Sequence, residues 1–379
     1  MTIKQEYPAI GDIVTDHTVV SHDSELNRLC KQWLQKDCLA LDTEFMRTNT
    51  FYPKVGLIQV CDAEHNYLVD PLKIEDWDAF RQVLVDSQVS KIFHSCSEDL
   101  LVFFAFLDLI PSPVFDTQIA AAFMNKGLSL SYQNLVRELL DIDIPKGETR
   151  SDWLQRPLTD EQLEYAALDV ALLPDIYRRQ SRIIADRGMT DWVAEECRRA
   201  IRQYDSEVNS DFDDYYQSIK GAWQLRPREL ALLKALALWR ENRARKRDKP
   251  RNWIVRDQQL LAIARSFPHT RQELQDIPDI SPNFVRFEAE AVLNLVLETE
   301  QLSTVEYPSP LPGPLTAAQK KYLKAAQNRI QELAASLDLP AELLGRKKTL
   351  MALLQSIQEQ KTAGKANGEP ATLLLPEEL

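Results

Sequence analysis

The sequence predicts an α/β domain with a mixed central sheet, followed by two small all-α units. Apolar runs of strand length alternate with helical patterns up to about Leu128, and only helical patterns follow after that residue. A proline-rich stretch at 307–314 divides the helical half, because such a sequence is stiff and extended. The 379 residues leave room for about two or three domains of ~150 residues each.

The predicted sheet elements lie close together near the start of the chain. After an amphipathic helix at 26–35, the patterns give a strand through Asp42, strands at 55–61 and 67–71, a helix at 77–85, a strand at 91–94 and a helix from Ser97 to Phe106. Helices that alternate with strands can cover both faces of one sheet. This order therefore favours a mixed sheet between helical layers.

Two carboxylates stand at the end of the first long apolar strand. Asp42 and Glu44 follow the apolar run 38–41, and alternate residues of a strand share a face, so both should point the same way. Buried together they would repel, unless one takes up a proton or a divalent cation lies between them. Asp-x-Glu also occurs at three other places in the chain, so this pair needs distant partners to indicate a metal site.

A second acidic candidate lies where a strand gives way to a helix. Ser95 and Glu98 match a Ser-x-x-Glu capping box, which predicts that a helix starts here and places Asp99 in its first turn, close to His94 at the strand end. The alternative explanation is structural, because the helix dipole favours acidic residues at N-termini in any protein. The position beside a sheet end is what favours a functional Asp99.

The third candidate lies on a helix that begins with a capping box at Thr159 and Gln162. Tyr165 and Asp169 are four residues apart on it, so a phenol and a carboxylate share one face and can meet the same ligand. A solvated Tyr and Asp on one helix would be an ordinary alternative. Pro174 should kink or shorten the helix one turn later.

Together the three stretches supply four carboxylates, and four carboxylates at one sheet end suit two divalent cations and phosphodiester hydrolysis. Three sequences carry a resemblance: Leu-Asp-Thr-Glu-Phe at 41–45, His-Ser-Cys-Ser-Glu-Asp-Leu at 94–100 and Tyr-Ala-Ala-Leu-Asp-Val at 165–170. In order and spacing they resemble the motifs of the DEDD exonuclease superfamily, and the tyrosine resembles its DEDDy branch. Residues 52–60 and 151–158 further resemble bacterial ribonuclease D, which implies a ribonuclease H-like exonuclease fold.

The resemblance implies a role for each residue of the site. Asp42 should bridge two metal ions, Mg²⁺ or Mn²⁺. Glu44 and Asp169 should complete the site of the ion that holds the attacking water. Asp99 should support the second ion, and Tyr165 should orient the water.

The resemblance also implies three substrate contacts. Thr43 and Phe45 should touch the terminal nucleotide, the latter by stacking. His94 should meet a phosphate. Strand alternation places Phe45 opposite Glu44, so a core position is the alternative for this side chain.

The helical half resembles the HRDC domain, here in two copies. The resemblance rests on Asp248-Lys249-Pro250 and on Ile254 and Leu260, and it weakens at 277–281, where this chain lacks a common glycine. The predicted domains are an exonuclease domain at 1–210, HRDC units at 215–300 and 315–360, a linker at 301–314 and a disordered tail at 361–379. Basic residues cluster at 240–251 and at 320–324 with 346–348; each cluster either contacts RNA phosphates or is a solvated helix face.

Composition bears on how the chain binds its partner and in which compartment it works. A net charge of -12 argues against holding nucleic acid by overall electrostatics. Five cysteines without a Cys-x-x-Cys pair fit reduced thiols, and no apolar run is long enough to span a bilayer, so a cytoplasmic protein is expected. A monomer is the expected oligomeric state.

The expected activity is 3′–5′ exoribonuclease release of 5′-monophosphates from structured RNA, tRNA precursors above all. The choice of RNA follows from the resemblance. A DNA-directed exonuclease with the same site residues and a non-catalytic nucleic-acid-binding scaffold are the alternatives.

Overall fold

A computed structural model of the chain describes residues 16–145, 151–209, 212–347 and 349–354. The expectations for residues 1–15, for the end of the second helical unit at 355–360 and for the tail at 361–379 lie outside these ranges. No described helix combines the length and the apolar character that crossing a membrane requires.

A six-stranded mixed sheet forms the centre of the described N-terminal domain, as predicted. Its strands are β1 (His17–Val20), β2 (Cys38–Met46), β3 (Lys54–Cys61), β4 (Asn66–Val69), β5 (Ser90–Phe93) and β6 (Val114–Asp116). They are ordered β1-β4-β3-β2-β5-β6, with β3 antiparallel to both its neighbours and the other pairs parallel. The sequence did not predict β1 and β6, since edge strands of four and three residues are too short for a period-two pattern.

Eight helices of the N-terminal domain are described: α1 (Asp23–Trp33), α2 (Asp78–Val85), α3 (Ser97–Leu107), α4 (Thr117–Phe123), α5 (Tyr132–Leu140), α6 (Asp160–Ala171), α7 (Leu173–Asp186) and α8 (Thr190–Asn209). They cover both faces of the sheet. Leu39 and Leu41 pack with α1, α2 and α3, whereas Ala40 packs on the opposite face with α4, α5 and α7. Pro174 lies in the first turn of α7, and α6 ends at Ala171, in keeping with the prediction that this proline shortens the helix.

The described helical half begins with α9 (Pro227–Arg247), α10 (Arg251–Ile254), α11 (Asp257–Ser266), α12 (Arg271–Gln275) and α13 (Pro282–Gln301). These helices share one hydrophobic core of their own. After the proline-rich stretch follow α14 (Ala317–Ser336) and α15 (Ala341–Leu344).

The segment that joins α14 to α15 packs against the N-terminal domain. Leu339 is buried in the core that α5, α7 and α8 form. Arg187 of the N-terminal domain forms an ion pair of 3.2 Å with Asp338, and Arg346 forms one of 3.1 Å with Glu196. The described C-terminal helices are therefore anchored on the N-terminal domain rather than held by the linker alone.

Candidate active site

Three carboxylates converge at the end of β2. One oxygen atom of each of Asp42, Glu44 and Asp169 can be chosen so that all three lie within 4.8 Å of one another. Asp42 and Glu44 point toward α6 because they share the strand face of Ala40, and α6 carries Asp169. The predicted convergence of these residues from two distant motifs is confirmed.

The fourth carboxylate reaches the site from the other side of the strand. Asp99, in the first turn of α3, is buried and accepts a hydrogen bond of 2.6 Å from the hydroxyl of Thr43. Thr43 alternates with its two acidic neighbours, so its side chain points toward α3. Asp99 therefore borders the group of three instead of belonging to it.

Burial raises the pKa of all four carboxylates, and repulsion from the others adds to the rise for Asp42 and Glu44. Burial, followed by repulsion from the other three, raises the pKa of Asp42 well above its usual range. Burial, followed by repulsion from Asp169 and Asp99, raises the pKa of Glu44 to about 8. Burial is also the main reason why the pKa values of Asp99 and Asp169 rise to about 7. Four carboxylates without compensating positive charge form a site that favours a divalent cation.

A buried amide lies beside this acidic group. Gln59 of β3 pairs in register with Asp42 and is fully buried. Neither its amide nitrogen nor its amide oxygen has a hydrogen-bond partner in the described protein. Buried polar groups without partners are costly, so a water molecule or ligand atom is expected next to Gln59.

The phenol of Tyr165 belongs to the same site. Its hydroxyl donates a hydrogen bond to Asp169, which lowers the pKa of that carboxyl and opposes the effect of burial. Burial and the nearby Asp169 raise the pKa of Tyr165, so the phenol stays protonated at neutral pH. The predicted capping box of Thr159 and Gln162 is present at the start of α6.

Gly56 allows the loop that carries Trp153 to pack closely on β3 and beside Tyr165. The pairing of β2 with β3 shifts between Glu44 and Phe45, which leaves Gly56 of β3 without a register partner. The Trp153 backbone packs so closely that a Cβ at Gly56 would lie 2.5 Å from the Trp153 carbonyl oxygen. The Trp153 ring lies 6.2 Å from the Tyr165 ring, centroid to centroid.

Arg156 fastens the same loop to the sheet. Its Nη2 donates hydrogen bonds of 2.6 Å to the Gly56 carbonyl and to the Asp70 carboxylate, and Nε adds a bond of 2.8 Å to Asp70. Such bidentate pairing is strong and directional. Gly56, Trp153 and Arg156 lie in the segments 52–60 and 151–158 that resemble ribonuclease D, and their contacts hold the loop behind Tyr165.

The start of α3 differs from the prediction. Ser95 does not form the expected capping box: the helix begins at Ser97, its N-cap is Cys96, and no side chain caps it from that position. The Asp116 carboxylate at the end of β6 instead accepts from the amides of Ser95 at 3.0 Å and Cys96 at 2.9 Å. Asp116 also caps α4. Its β-strand was not predicted, so sequence spacing offered no signal for this contact.

The site opens into a cleft of about 840 Å³. The carboxylates of Asp42, Glu44 and Asp99 line it. Its other lining residues are Thr43, Phe45, Met46, Arg47, Thr48, His94, Ser95, Glu98, Ser151 and Trp153. An acidic site at the base of an open cleft can receive the end of a polymer chain.

Comparisons with known proteins agree with this geometry. Residues 17–184 match a family model described as 3′-5′ exonuclease, and residues 229–296 match the HRDC domain. Ribonuclease D of Pseudomonas paraeruginosa is 42% identical over 337 residues, which cover 89% of each chain. Ribonuclease D of Escherichia coli is 36% identical over 343 residues, 89% of this chain and 90% of its own length. The chain belongs to the ribonuclease D family.

A solved structure extends the likeness to the whole fold. Escherichia coli RNase D, described as an exoribonuclease involved in structured RNA processing, superposes with a TM-score of 0.86 at 35% identity and covers 96% of this chain and 94% of that one. The chain is therefore a ribonuclease D-type 3′–5′ exoribonuclease, as predicted. The HRDC match covers the first helical unit, and the second copy stays a prediction.

The three predicted substrate contacts all line the cleft of this ribonuclease D homologue. Thr43 is buried with its hydroxyl committed to Asp99, and Phe45 packs partly against the core. Both ring nitrogens of His94 lie within hydrogen-bond distance of protein atoms, at 2.9 Å from Thr117 Oγ1 and 3.0 Å from the Leu130 carbonyl. A phosphate contact by His94 would have to break one of these bonds, and all three roles stay predictions.

All five arginines of the larger basic cluster form ion pairs inside the first HRDC domain. Ion pairs join Arg240 to Asp257, Arg243 and Arg247 to Glu288, and Arg245 and Arg251 to Glu241. Both glutamates are buried, so these pairs hold the helices of the domain together. Five arginines that could have met RNA phosphates thus have structural partners.

Proposed function

We propose that this ribonuclease D homologue hydrolyses RNA from the 3′ end with two divalent cations, Mg²⁺ or Mn²⁺. The support is the acidic group itself: three carboxylate oxygens within 4.8 Å of one another are hard oxygen donors of the kind that such ions prefer. Burial, followed by repulsion from Asp169 and Asp99, raises the pKa of Glu44 to about 8, and a bound cation would offset both effects. The donor set therefore fits the cation.

Asp42, Glu44 and Asp169 would hold one cation, and Asp42 with Asp99 would hold the second. When bound, such ions lower the pKa of a water molecule and balance the charge that develops on the phosphate oxygens. Tyr165 stays protonated, so its hydroxyl can orient the attacking water while it donates to Asp169. Thr43 keeps Asp99 turned toward the site by its hydrogen bond.

The proposed substrates are structured RNAs with a free 3′ end, tRNA precursors among them. The relative from Escherichia coli, described as acting in structured RNA processing, supports this choice. We place the enzyme in the cytoplasm as a monomer. All five cysteines are free, in keeping with a reducing compartment.

Product analysis tests the proposal. Purified protein with magnesium or manganese should release nucleoside 5′-monophosphates from a 3′-extended tRNA precursor and stop near the mature end. Matched single-stranded RNA and DNA should be digested side by side, and RNA should be preferred. Asp42→Asn should abolish release, with Asp37→Asn as a control that changes an exposed aspartate away from the cleft. Release that survives Asp42→Asn would contradict the proposed site.

Tyr165→Phe separates water orientation from cation binding. Removing the hydroxyl should lower kcat roughly 100-fold, because a misplaced nucleophile costs about that much. Calorimetric affinity for Mn²⁺ should stay within about threefold, since the four carboxylates remain. Loss of Mn²⁺ affinity in this variant would show that Tyr165 builds the cation site instead.

A further inference from the structure

A second cleft lies where the exonuclease domain meets the first HRDC domain. Its volume is about 480 Å³. The exonuclease side is lined by Arg47, Thr48, Thr50 and Phe51, and the HRDC side by Tyr215, Pro250, Arg251, Asn252, Trp253 and Asp257. Arg47 and Thr48 also line the active-site cleft. The two clefts therefore adjoin along the segment that follows β2.

Hydrogen bonds fix the two walls of this junction cleft. The Asp248 carboxylate accepts from the backbone amides of Phe51 at 2.9 Å and Tyr52 at 3.0 Å. Lys249 Nζ donates to the Asn49 carbonyl at 3.3 Å. The Arg251 guanidinium lies over the Phe51 ring, 4.9 Å from its centroid. These contacts preform the junction, so a ligand there would meet ordered walls.

The junction cleft presents an aromatic side chain that packing does not explain. Trp253 is 62% exposed although it is the largest type of apolar side chain. Lys249 Nζ lies 5.8 Å from its ring centroid and places a positive charge beside it. An exposed indole next to a cation is a platform on which a nucleobase can stack while the cation meets a phosphate.

The charge at this junction favours a single strand over a duplex. Arg251 shares the buried Glu241 with Arg245, so its guanidinium is held in an ion pair rather than free to follow the phosphates of a duplex. The exposed Arg47 lines the cleft, and the half-buried Lys249 adds a second cation beside Trp253. Duplex binding depends on many phosphate contacts, whereas single strands gain much of their affinity from stacking on aromatic side chains.

We propose that the junction cleft is a second RNA subsite, which holds a nucleotide upstream of the 3′-terminal one in a single-stranded tail. Trp253 stacks on the base of that nucleotide, and Arg47 and Lys249 contact the adjoining phosphates. The inference rests on the proposed function, because it assumes that an RNA 3′ end occupies the active-site cleft. It predicts that substrates long enough to reach both clefts are preferred.

Length dependence of hydrolysis tests the subsite. The kcat/KM values for an adenylate dinucleotide and decanucleotide should be measured for the wild type, Trp253→Ala and Trp253→Phe. Trp192→Ala is the matched control, since Trp192 is 50% exposed on α8 and lines neither cleft. Trp253→Ala should reduce the preference for the decanucleotide roughly tenfold through KM, as expected for a lost base stack. Trp253→Phe should restore part of it.

The outcomes separate the two proposals. If the wild type releases no mononucleotides from either RNA, the proposed function fails. If the wild type is active but Trp253→Ala keeps the wild-type length preference, or loses it no more than Trp192→Ala does, the subsite is wrong and the proposed function stands. An equal fall for both substrates would likewise contradict the subsite, because the defect would then lie in the chemistry.

Discussion

The hydroxyl of Thr43 donates a hydrogen bond of 2.6 Å to Asp99, on the face of β2 opposite to Asp42 and Glu44. This bond lowers the pKa of the Asp99 carboxyl, although burial keeps the value at about 7. Thr43 thus holds the fourth carboxylate of the site in position and favours its ionised form. The contact links the first motif of the sequence to the second.

Thr43→Val should weaken the site without changing its shape. Valine is nearly isosteric but cannot donate, so the pKa of Asp99 should rise and its affinity for a cation at neutral pH should fall. We expect Mn²⁺ affinity to fall about tenfold, as for other residues that orient metal ligands. Calorimetry measures it, and Thr43→Ser, which keeps the hydroxyl, is the control. Equal affinity in the Val and Ser variants would contradict this role.

The residues of the candidate site could be predicted from sequence because each lies in a strong local pattern. An apolar run delivers Asp42 and Glu44, and a capping box delivers the helix with Tyr165 and Asp169. The position of Asp99 was also predicted, but for a partly wrong reason. The expected Ser95 cap is replaced by Asp116, which comes from another strand.

What the sequence could not predict depends on contacts between distant segments. The basic cluster was expected either to contact RNA phosphates or to form a solvated helix face, yet Glu241 and Glu288 hold four of its arginines in ion pairs within the fold. A helical pattern does not reveal which charges meet across a core, because spacing describes only one element at a time. The junction made by Asp248 joins residues almost two hundred positions apart and has no local signature.

The four acidic residues should make the cation-free protein sensitive to pH. Burial and repulsion raise the pKa of Glu44 to about 8, while burial is the main cause of the rise in Asp99 and Asp169 to about 7. An acid whose pKa is raised in the folded state contributes stability that is present below its unfolded pKa and lost as pH rises through the folded value. The melting temperature in chelator should therefore fall between about pH 5 and pH 8.

Excess magnesium should remove most of this loss, because the cation binds the ionised folded form. Glu44→Gln should raise the melting temperature in chelator at pH 8, by about 2–4 °C per kcal/mol of relieved repulsion. Differential scanning calorimetry with and without magnesium measures both effects. Glu164→Gln, an exposed change on α6, should do neither. A melting temperature in chelator that rises over this pH range would contradict the expectation.

Gly56→Ala should lower kcat indirectly, by displacing the loop that packs against Tyr165. A Cβ there would lie 2.5 Å from the Trp153 carbonyl oxygen and 2.7 Å from its Cβ, so the loop must move. Overpacking of this kind costs about 1–3 kcal/mol, and displacement of Trp153 should shift Tyr165. We expect kcat to fall while Mn²⁺ affinity changes little.

Gly313→Ala is the matched control for this change, because a Cβ at Gly313 would meet the Trp223 ring at an ordinary 3.4 Å. Urea unfolding and steady-state kinetics should be compared for the two variants. If Gly56→Ala were as stable and as active as Gly313→Ala, the close packing of the loop on β3 would not matter for the site.

Asp248 offers a test of the junction between the domains. Its carboxylate accepts from the amides of Phe51 and Tyr52, and its backbone has the left-handed φ of 48° at the end of α9. Asp248→Ala removes both bonds and leaves two amides unpaired, which should cost about 1–3 kcal/mol. Asp248→Asn keeps an oxygen acceptor and a side chain that tolerates this backbone conformation, so it should lose much less.

Hydrogen exchange reads this contact directly. The Phe51 and Tyr52 amides should exchange faster in Asp248→Ala and near the wild-type rate in Asp248→Asn. Because the same segment lines both clefts, Asp248→Ala should also lower kcat/KM for the decanucleotide more than for the dinucleotide. Unchanged exchange in Asp248→Ala would mean that other contacts hold the segment, and that Asp248 does not couple the HRDC domain to the active-site cleft.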